Sequence, residues 1–165
     1  MTIRILLIDA QGPWLKKLPG EVERVVLPLG LMYLASYARE ALGDDVEFKI
    51  YQSLVDLNDN DPEAIEACIR REKPDIVGIR GMTRYQTQFE QIASLARAHS
   101  DALIVGGGPY ISSDEHAGLM DNDIDLGVLD EGEITFAEIQ ANATHPFVAD
   151  SYEAFLPTRV DYDRA

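Results

Sequence analysis

The sequence predicts an α/β protein in which a five-stranded parallel sheet is covered by helices on both faces. Strand and helix patterns alternate five times along the 165 residues, as in chains that cross over between parallel strands. Three strands, at residues 3–8, 76–79 and 102–105, are almost wholly apolar, with Arg4 the one charged residue among them, as expected of strands buried on both faces. Two others, at residues 46–50 and 124–128, alternate apolar and polar residues, which is typical of edge strands. With right-handed crossovers, these patterns give the strand order 2-1-3-4-5.

The predicted helices are bounded by residues that start or stop helices. Gly43 ends the first helix, and Asp61 with Pro62 supplies an N-cap and a first-turn proline for the second. Ser112 and Glu115 form a capping box that predicts the start of the fourth helix. The remaining predicted bounds are residues 29–42 for the first helix, Met120 for the end of the fourth and residues 133–141 for the last. The second and third helices present apolar core faces formed by Ile65, Cys68, Ile69, and by Phe89, Ile92, Ala93, Ala96.

Composition excludes several classes of partner. A formal charge of −15 and a pI near 4.4 disfavour nucleic acid and anionic membrane surfaces, because both would be repelled. Cys68 is the only cysteine, so neither a disulfide within the chain nor a cysteine-ligated iron–sulfur cluster can form. The apolar run at residues 25–38 is interrupted by Pro28 and is shorter than a membrane span. The sequence therefore predicts a cytoplasmic protein.

The fourth strand runs directly into Gly106, Gly107, Gly108 and Pro109. Glycine lacks a Cβ, so its backbone can adopt positive φ and lie close to a ligand, while proline fixes the exit direction. The simplest alternative is a tight turn between strand and helix with no ligand. Three successive glycines expose more backbone than such a turn needs, which favours a ligand-facing loop.

The predicted strand order places a crevice beside these glycines. Helices leave strands one and three in opposite directions, and ligands of open α/β sheets bind at the carboxyl ends of the strands at that point. Four loops meet there, at residues 9–12, 80–85, 106–110 and 130–133. The chain between Asp9 and Leu29 is long for such a connection and contains Trp14, which predicts either a cover over the site or a disordered segment.

Common nucleotide motifs do not match. No phosphate-binding G-x-x-x-x-G-K-[ST] loop is present, and only Gly12 is available for a dinucleotide fingerprint after strand one. A phosphoacceptor receiver domain would need an aspartate at the end of strand three and a lysine at the end of strand five, where this chain has Arg80 and Leu129.

Five short motifs occur in order: PLGLMYLA at residues 28–35, DIVGI at 75–79, MT at 82–83, VGGGPY at 105–110 and EGEITF at 131–136. Together they resemble the N-terminal cobalamin (B12)-binding domain of B12-dependent radical SAM enzymes. The resemblance implies a flavodoxin-like (Rossmann-like) three-layer sandwich over residues 1–141. It also implies cobalamin bound base-off, with its dimethylbenzimidazole tail detached from cobalt and threaded into the protein.

The resemblance further implies a partner, a radical SAM barrel in cis or in trans that carries S-adenosylmethionine and a 4Fe–4S cluster. Many members transfer a methyl group. The C-x-x-x-C-x-x-C cluster motif is absent here, so the chain is not expected to be catalytic alone. Residues 142–165 contain Pro146 and Pro157 and are expected to form a linker or wrap toward that domain, which this chain lacks.

The D-x-H-x-x-G signature of B12-dependent mutases and corrinoid methyltransferases is also absent, because Gln11 stands where the cobalt-ligating histidine would be. Cobalamin is therefore expected to bind without a histidine ligand. Its lower face would be open or touched by water or by a side chain such as Arg80, Arg84 or Met82.

The expected cofactor-binding residues come from the four loops, and no residue is expected to be catalytic or to ligate a metal. They are Asp9, Gln11, Gly12, Arg80, Gly81, Met82, Thr83, Arg84, Tyr85, Gly106, Gly107, Gly108, Pro109, Tyr110, Glu131 and Gly132. Simpler roles stay open for some of them: Asp9 as a cap of its own loop, Thr83 as a helix start, the arginines as surface charges and the tyrosines as surface residues. The alternative for the whole chain is a cofactor-free interaction or sensor domain of the same fold, against which the intact glycine run argues.

Overall fold

The computed structural model describes residues 2–12, 27–113, 123–129 and 132, and confirms the predicted sheet. Five parallel strands lie in the order 2-1-3-4-5, so strands two and five are at the edges as their alternating patterns predicted. The strands are β1 Ile3–Ala10, β2 Val46–Gln52, β3 Ile76–Gly81, β4 Leu103–Gly107 and β5 Leu126–Val128. The helices within the described residues are α1 Leu29–Leu42, α2 Pro62–Glu72, α3 Gln86–His99 and α4 Pro109–Ser113.

The core forms two layers, one on each face of the sheet. Alternate residues of β1 point to opposite faces, so Ile5 and Leu7 join the layer under α1, while Leu6 and Ile8 join the layer under α2 and α3. Each of these four side chains is almost completely buried, a state worth about 1.5–3 kcal/mol per side chain relative to exposure. The two layers fix the strand register, because a slip by one residue would exchange the faces.

The helix boundaries follow local chemistry. Asp61 accepts a hydrogen bond from the backbone N–H of Glu63 at 3.3 Å and caps α2, as its sequence predicted. At the end of α1, Gly43 takes the positive φ of 68° that this chain reversal requires. Because α1 begins near the carboxyl edge of the sheet and ends at the opposite edge, its first turn lies beside the predicted crevice.

The predicted start of the fourth helix was wrong. Helix α4 begins at Pro109, and the N–H of Ser112 already donates to the carbonyl of Gly108 at 3.1 Å, so Ser112 lies inside the helix and cannot cap it. Proline suits the first helical position because its φ is fixed near the helical value and its missing N–H is not needed there. The predicted end of this helix near Met120 lies outside the described residues.

Three other predicted segments also lie outside them: the loop after Gly12, the last helix at residues 133–141 and the linker at residues 142–165. Among the helices that the structure describes, none is both long enough and apolar enough to span a membrane.

Candidate functional site

A cavity of about 250 Å³ opens between α1 and the carboxyl ends of the sheet strands. It lies at the β1–β3 boundary, where the strand order reverses and the sequence predicted a crevice. Residues of β1, β3, β4 and β5 form its floor, and the glycine turn after β4 forms one side. The wall opposite the sheet is the first part of α1, which contributes Gly30, Leu31 and Leu34.

Two glycines create space in the cavity floor. Leu7, Gly78 and Val105 lie side by side in register across β1, β3 and β4, and all three line the cavity. One row further toward the carboxyl edge, Gly107 lies between Arg80 and Val128 in the same way. Each glycine therefore leaves a gap between two side chains, which are Leu7 and Val105 in one row and Arg80 and Val128 in the next.

Gly107 is the member of the glycine run that opens onto the cavity. A Cβ placed on Gly107 would meet only Val128, with its carbonyl oxygen at 3.8 Å and its Cβ at 4.0 Å, which are ordinary contact distances. The backbone conformation would therefore accept a side chain, but that side chain would occupy the cavity.

The neighbouring glycines are required by the fold itself. A Cβ on Gly106 would lie 2.9 Å from Phe89 Cζ and 2.9 Å from Ile124 Cδ1, in the core layer on the opposite face of the sheet. Gly108 has a φ of 87°, and its Cβ would lie 2.9 Å from the carbonyl oxygen of Gly81. The three successive glycines thus serve core packing, cavity space and chain reversal, in that order along the chain.

A buried carboxylate lies at the rim of the cavity floor. Asp9 is 2 % exposed, and its Oδ1 accepts a hydrogen bond from Arg80 Nη1 at 2.8 Å. Its Oδ2 accepts a second bond from the side-chain amide of Gln11 at 2.6 Å. Burying a carboxylate is costly unless it is paired in this way, so the position of Asp9 depends on both partners.

Arg80 lies on the cavity side of that ion pair. Its side chain remains 33 % exposed and lines the cavity, and its Nε lies 3.7 Å from the position that a Cβ on Gly30 would take. The side chain therefore reaches from β3 toward the first turn of α1. Of the predicted residues, the cavity is lined by Arg80, Gly106, Gly107, Gly108, Pro109 and Gly132.

Gln11 is held in place by the loop that follows β2. Its backbone N–H donates to Ser53 Oγ at 2.9 Å, and Ser53 is completely buried. The side chain of Gln11 at the same time donates to Asp9, as described above. Gln11, which stands in the place of the missing histidine, is therefore already hydrogen-bonded within the protein through both its backbone and its side chain.

Both predicted tyrosines are buried, so their interpretation as surface residues was wrong. Tyr110 is 2 % exposed, stacks edge to face on Phe89 at a centroid distance of 5.1 Å and donates from its hydroxyl to Glu90 at 3.1 Å. Tyr85 packs against Gly12, where a Cβ would lie 3.0 Å from the ring, and burial raises the pKa of its phenol. Neither residue lines the cavity.

The other predicted residues of the β3 loop lie at the same edge of the sheet but outside the cavity lining. Thr83 begins a single 3₁₀ turn, Thr83–Tyr85, before α3, and its hydroxyl lies 3.0 Å from that of Ser113. Met82 is half-buried, and Arg84 is exposed with its guanidinium carbon 5.7 Å from the centroid of the Tyr85 ring. Gly81 is required by packing, because a Cβ there would lie 2.8 Å from Phe89.

Glu131 lies outside the described residues. Within the described residues, no group of three or more histidine, cysteine or acidic side chains is placed to hold a metal ion. Sequence reasoning missed several residues that line the cavity, namely Leu7, Gly30, Leu31, Leu34, Gly78, Ile79, Val105 and Val128. The available signal was Gly78, because a glycine inside an apolar strand often marks the close approach of a ligand or another backbone.

Comparison with known proteins assigns the family. The sequence pattern of the B12 binding domain family matches residues 16–140, which make up most of the chain. The chain belongs to the B12-binding domain family. The cavity at the carboxyl ends of the strands is accordingly the candidate site of a B12-binding domain. A comparison with curated proteins found no match to the chain.

Solved structures share the fold of this B12-binding domain. Two are of the radical S-adenosylmethionine methyltransferase TsrM from Kitasatospora setae. Each matches with a TM-score of 0.68, and each match covers 87 % of this chain. One, at 21 % identity, has cobalamin and a 4Fe–4S cluster bound, and the other, at 22 % identity, has tryptophan substrate and the SAM analogue aza-SAM bound. The chain spans only about a quarter of the length of these proteins, 25 % and 26 % respectively.

Proposed function

We propose that this chain is the cobalamin-binding module of a B12-dependent radical SAM enzyme, a methyltransferase, and that it holds cobalamin base-off without a histidine ligand. The observation that carries the proposal is the cavity at the reversal of strand order, with Gly78 and Gly107 in its floor. These glycines leave room where any other residue would place a side chain.

The size of the cavity supports insertion of one part of the cofactor. Pockets that enclose a whole drug-sized ligand have volumes of roughly 300–1,000 Å³. The present cavity, at about 250 Å³, suits a flat bicyclic base such as dimethylbenzimidazole but is too small for a corrin ring. The tail would enter between α1 and the sheet against Leu7 and Leu34, and the corrin would remain at the carboxyl edge.

The side chains at the rim support the absence of a protein nitrogen ligand to cobalt. The amide of Gln11 already donates to Asp9, and an amide nitrogen is in any case a poorer metal ligand than imidazole. His99, the one histidine among the described residues, ends α3 at the opposite edge of the sheet. Among the described residues that line the cavity, Arg80 is the charged one, and its guanidinium pairs with Asp9.

When bound, cobalamin would supply a cobalt centre able to carry a methyl group. The residues of this chain would bind the tail and shield it from water, while Asp9 and Gln11 keep the rim in one arrangement. The radical SAM barrel, in cis or in trans, would supply the 4Fe–4S cluster, S-adenosylmethionine and the site of the methyl acceptor. We infer a cytoplasmic enzyme in which residues 142–165 lead toward that barrel.

A titration with hydroxocobalamin, followed by visible absorbance, tests cofactor binding. We expect saturation at about one equivalent and a spectrum that shifts to the base-off form. A spectrum that never departs from that of free hydroxocobalamin would instead support a cofactor-free interaction or sensor domain of the same fold.

Electron paramagnetic resonance of the bound cobalt(II) form tests the axial ligand separately. We expect no splitting from a strongly coupled axial nitrogen. If such splitting appears, histidine or dimethylbenzimidazole is coordinated after all, and the proposed base-off binding without histidine is wrong even though cobalamin binds.

A further inference from the structure

The outer face of α1 carries an exposed apolar surface. Of the six large apolar side chains that are exposed in the described part of the chain, five lie in or just before this helix. We call these five residues the α1 outer patch: Leu27, Leu29, Met32, Tyr33 and Tyr37. Tyr33 is the most exposed of them, at 68 %. Contiguous apolar surface of this kind usually marks an interaction site in a folded protein.

Helix α1 differs in this respect from the other two long helices. Its inner face buries Leu31, Ala35 and Ala38 against the sheet, so its first half is apolar on two opposite faces. A helix that is apolar all round is normally covered on all sides. The exposed positions of α2 and α3 are mainly polar instead, for example Glu63, Arg70 and Arg71, or Thr87, Ser94 and Arg97.

The α1 outer patch begins at Leu27, just before the helix, and extends to Tyr37, so it covers the part of α1 that lies beside the cavity. Gly30, Leu31 and Leu34, from the same turns of α1, line the cavity wall. Beyond Tyr37, toward the opposite edge of the sheet, the exposed residues of α1 include the charged Arg39 and Glu40. A partner that covered the patch would therefore also reach the mouth of the cavity.

We propose that the α1 outer patch is the surface on which the cluster-bearing catalytic domain docks, through an apolar and uncharged face of its own. This inference rests on the proposed function, because it names the surface that the partner of the cofactor site would use. Two observations favour this occupant: the patch adjoins the cavity mouth, and the TsrM structures of the same fold are about four times longer than the matched part. A net charge of −15 disfavours an anionic membrane.

Site-specific photo-crosslinking in the full natural protein, in its own cells, tests the docking surface. A benzophenone-bearing phenylalanine replaces Tyr33 or Tyr37, which are exposed aromatic residues, so the fold should accept the change. The same amino acid at the exposed Ser94 on α3 is the matched control. Mass spectrometry of the crosslinked peptides then identifies the partner. We expect positions 33 and 37, but not position 94, to crosslink to the domain that contains a C-x-x-x-C-x-x-C motif.

A second variant tests whether the apolar character matters. Tyr33→Glu places a carboxylate in the middle of the α1 outer patch, and burying an unpaired charge in an apolar interface is strongly unfavourable. We expect about a tenfold or greater loss of crosslinking from position 37, as for the centre of a protein interface. Ser94→Glu should leave that crosslinking unchanged.

Crosslinks from positions 33 and 37 to a second copy of this chain, to lipid, or at the level of the position 94 control would overturn the inference. The proposed function is tested apart from it. Because Tyr33 does not line the cavity, Tyr33→Glu should bind hydroxocobalamin like the unmodified chain. If the unmodified chain fails to bind, the cofactor proposal fails even where the crosslinks reach the cluster domain. If it binds and the crosslinks do not, only the docking inference fails.

Discussion

The substitution Gly107→Val tests whether Gly107 is needed for cofactor binding rather than for folding. At this position an added Cβ would contact Val128 at 3.8–4.0 Å and nothing closer, so the folded backbone can accept it. Valine also favours strand conformation, which glycine does not. We therefore expect the variant to unfold at the same temperature as the unmodified chain or slightly above it.

Cobalamin binding should respond very differently. The two methyl groups of valine would extend into a cavity of only about 250 Å³, where the cofactor tail is proposed to fit. Overpacking of a closely fitted space costs about 1–3 kcal/mol, which corresponds to about one to two decades in dissociation constant. The loss would appear in the titration with hydroxocobalamin.

Gly106→Ala is the control, because it acts on the opposite face of the sheet. Its Cβ would lie 2.9 Å from Phe89 and from Ile124, so we expect overpacking of about 1–3 kcal/mol in the core. For a chain of this size, that loss lowers the unfolding temperature by roughly 2–12 °C. The alanine variant should bind cobalamin normally below its unfolding transition.

Thermal unfolding and hydroxocobalamin titration of both variants give four measurements with opposite expected patterns. An unchanged dissociation constant for Gly107→Val would remove this glycine from the site. A drop in its unfolding temperature as large as that of Gly106→Ala would show that the space beside Gly107 is closed by the protein itself.

Three further predictions concern residues around and away from the cavity. Asp9→Asn removes the charge that faces Arg80, and we expect it to lower the free energy of unfolding in urea by about 1–3 kcal/mol. The loss is smaller than for a fully buried ion pair because Arg80 is partly exposed; an unchanged urea midpoint would refute the role of the pair. Cys68 is buried, and burial raises the pKa of its thiol to about 11. At mildly alkaline pH a thiol reagent should label the native chain at least about a hundredfold more slowly than the unfolded chain, because the native thiol is both less ionised and inaccessible; equal rates would contradict this. Asp61→Ala removes the cap of α2 and should cost about 1 kcal/mol without affecting cobalamin affinity, which the same two assays measure.

The strand order could be predicted from the sequence because burial differs between central and edge strands. Almost wholly apolar runs marked β1, β3 and β4 as central, and alternation of apolar and polar residues marked the other two as edges. The start of α4 could not be predicted correctly from the capping pattern at Ser112, because Pro109 three residues earlier was already able to begin the helix.

The site was predicted less completely, because it depends on which face of the sheet each residue occupies. Gly106 and Gly107 cannot be told apart in the sequence. Alternate residues of a strand point to opposite faces, so a side chain at position 107 would enter the cavity, whereas one at position 106 would enter the core on the other face. Gly78 shares that face, but this becomes visible only when β3 and β4 are aligned in register. Tyr110 was expected among the cofactor-binding residues, whereas its side chain packs against Phe89 in the core.

The cavity floor is formed by strand residues and the facing wall by a helix, so the two sides should differ in how hydrogen exchange responds to cofactor binding. The amides of central strands in a hydrogen-bonded sheet open only on global or near-global unfolding, so those of β3 and β4 should exchange slowly with or without a ligand. The first turn of α1 has no side-chain cap, and Gly30 lies within it. Helix ends of this kind open easily. Slowed exchange on cofactor addition should therefore be found in α1, on the wall of the cavity, rather than in the strands that form its floor.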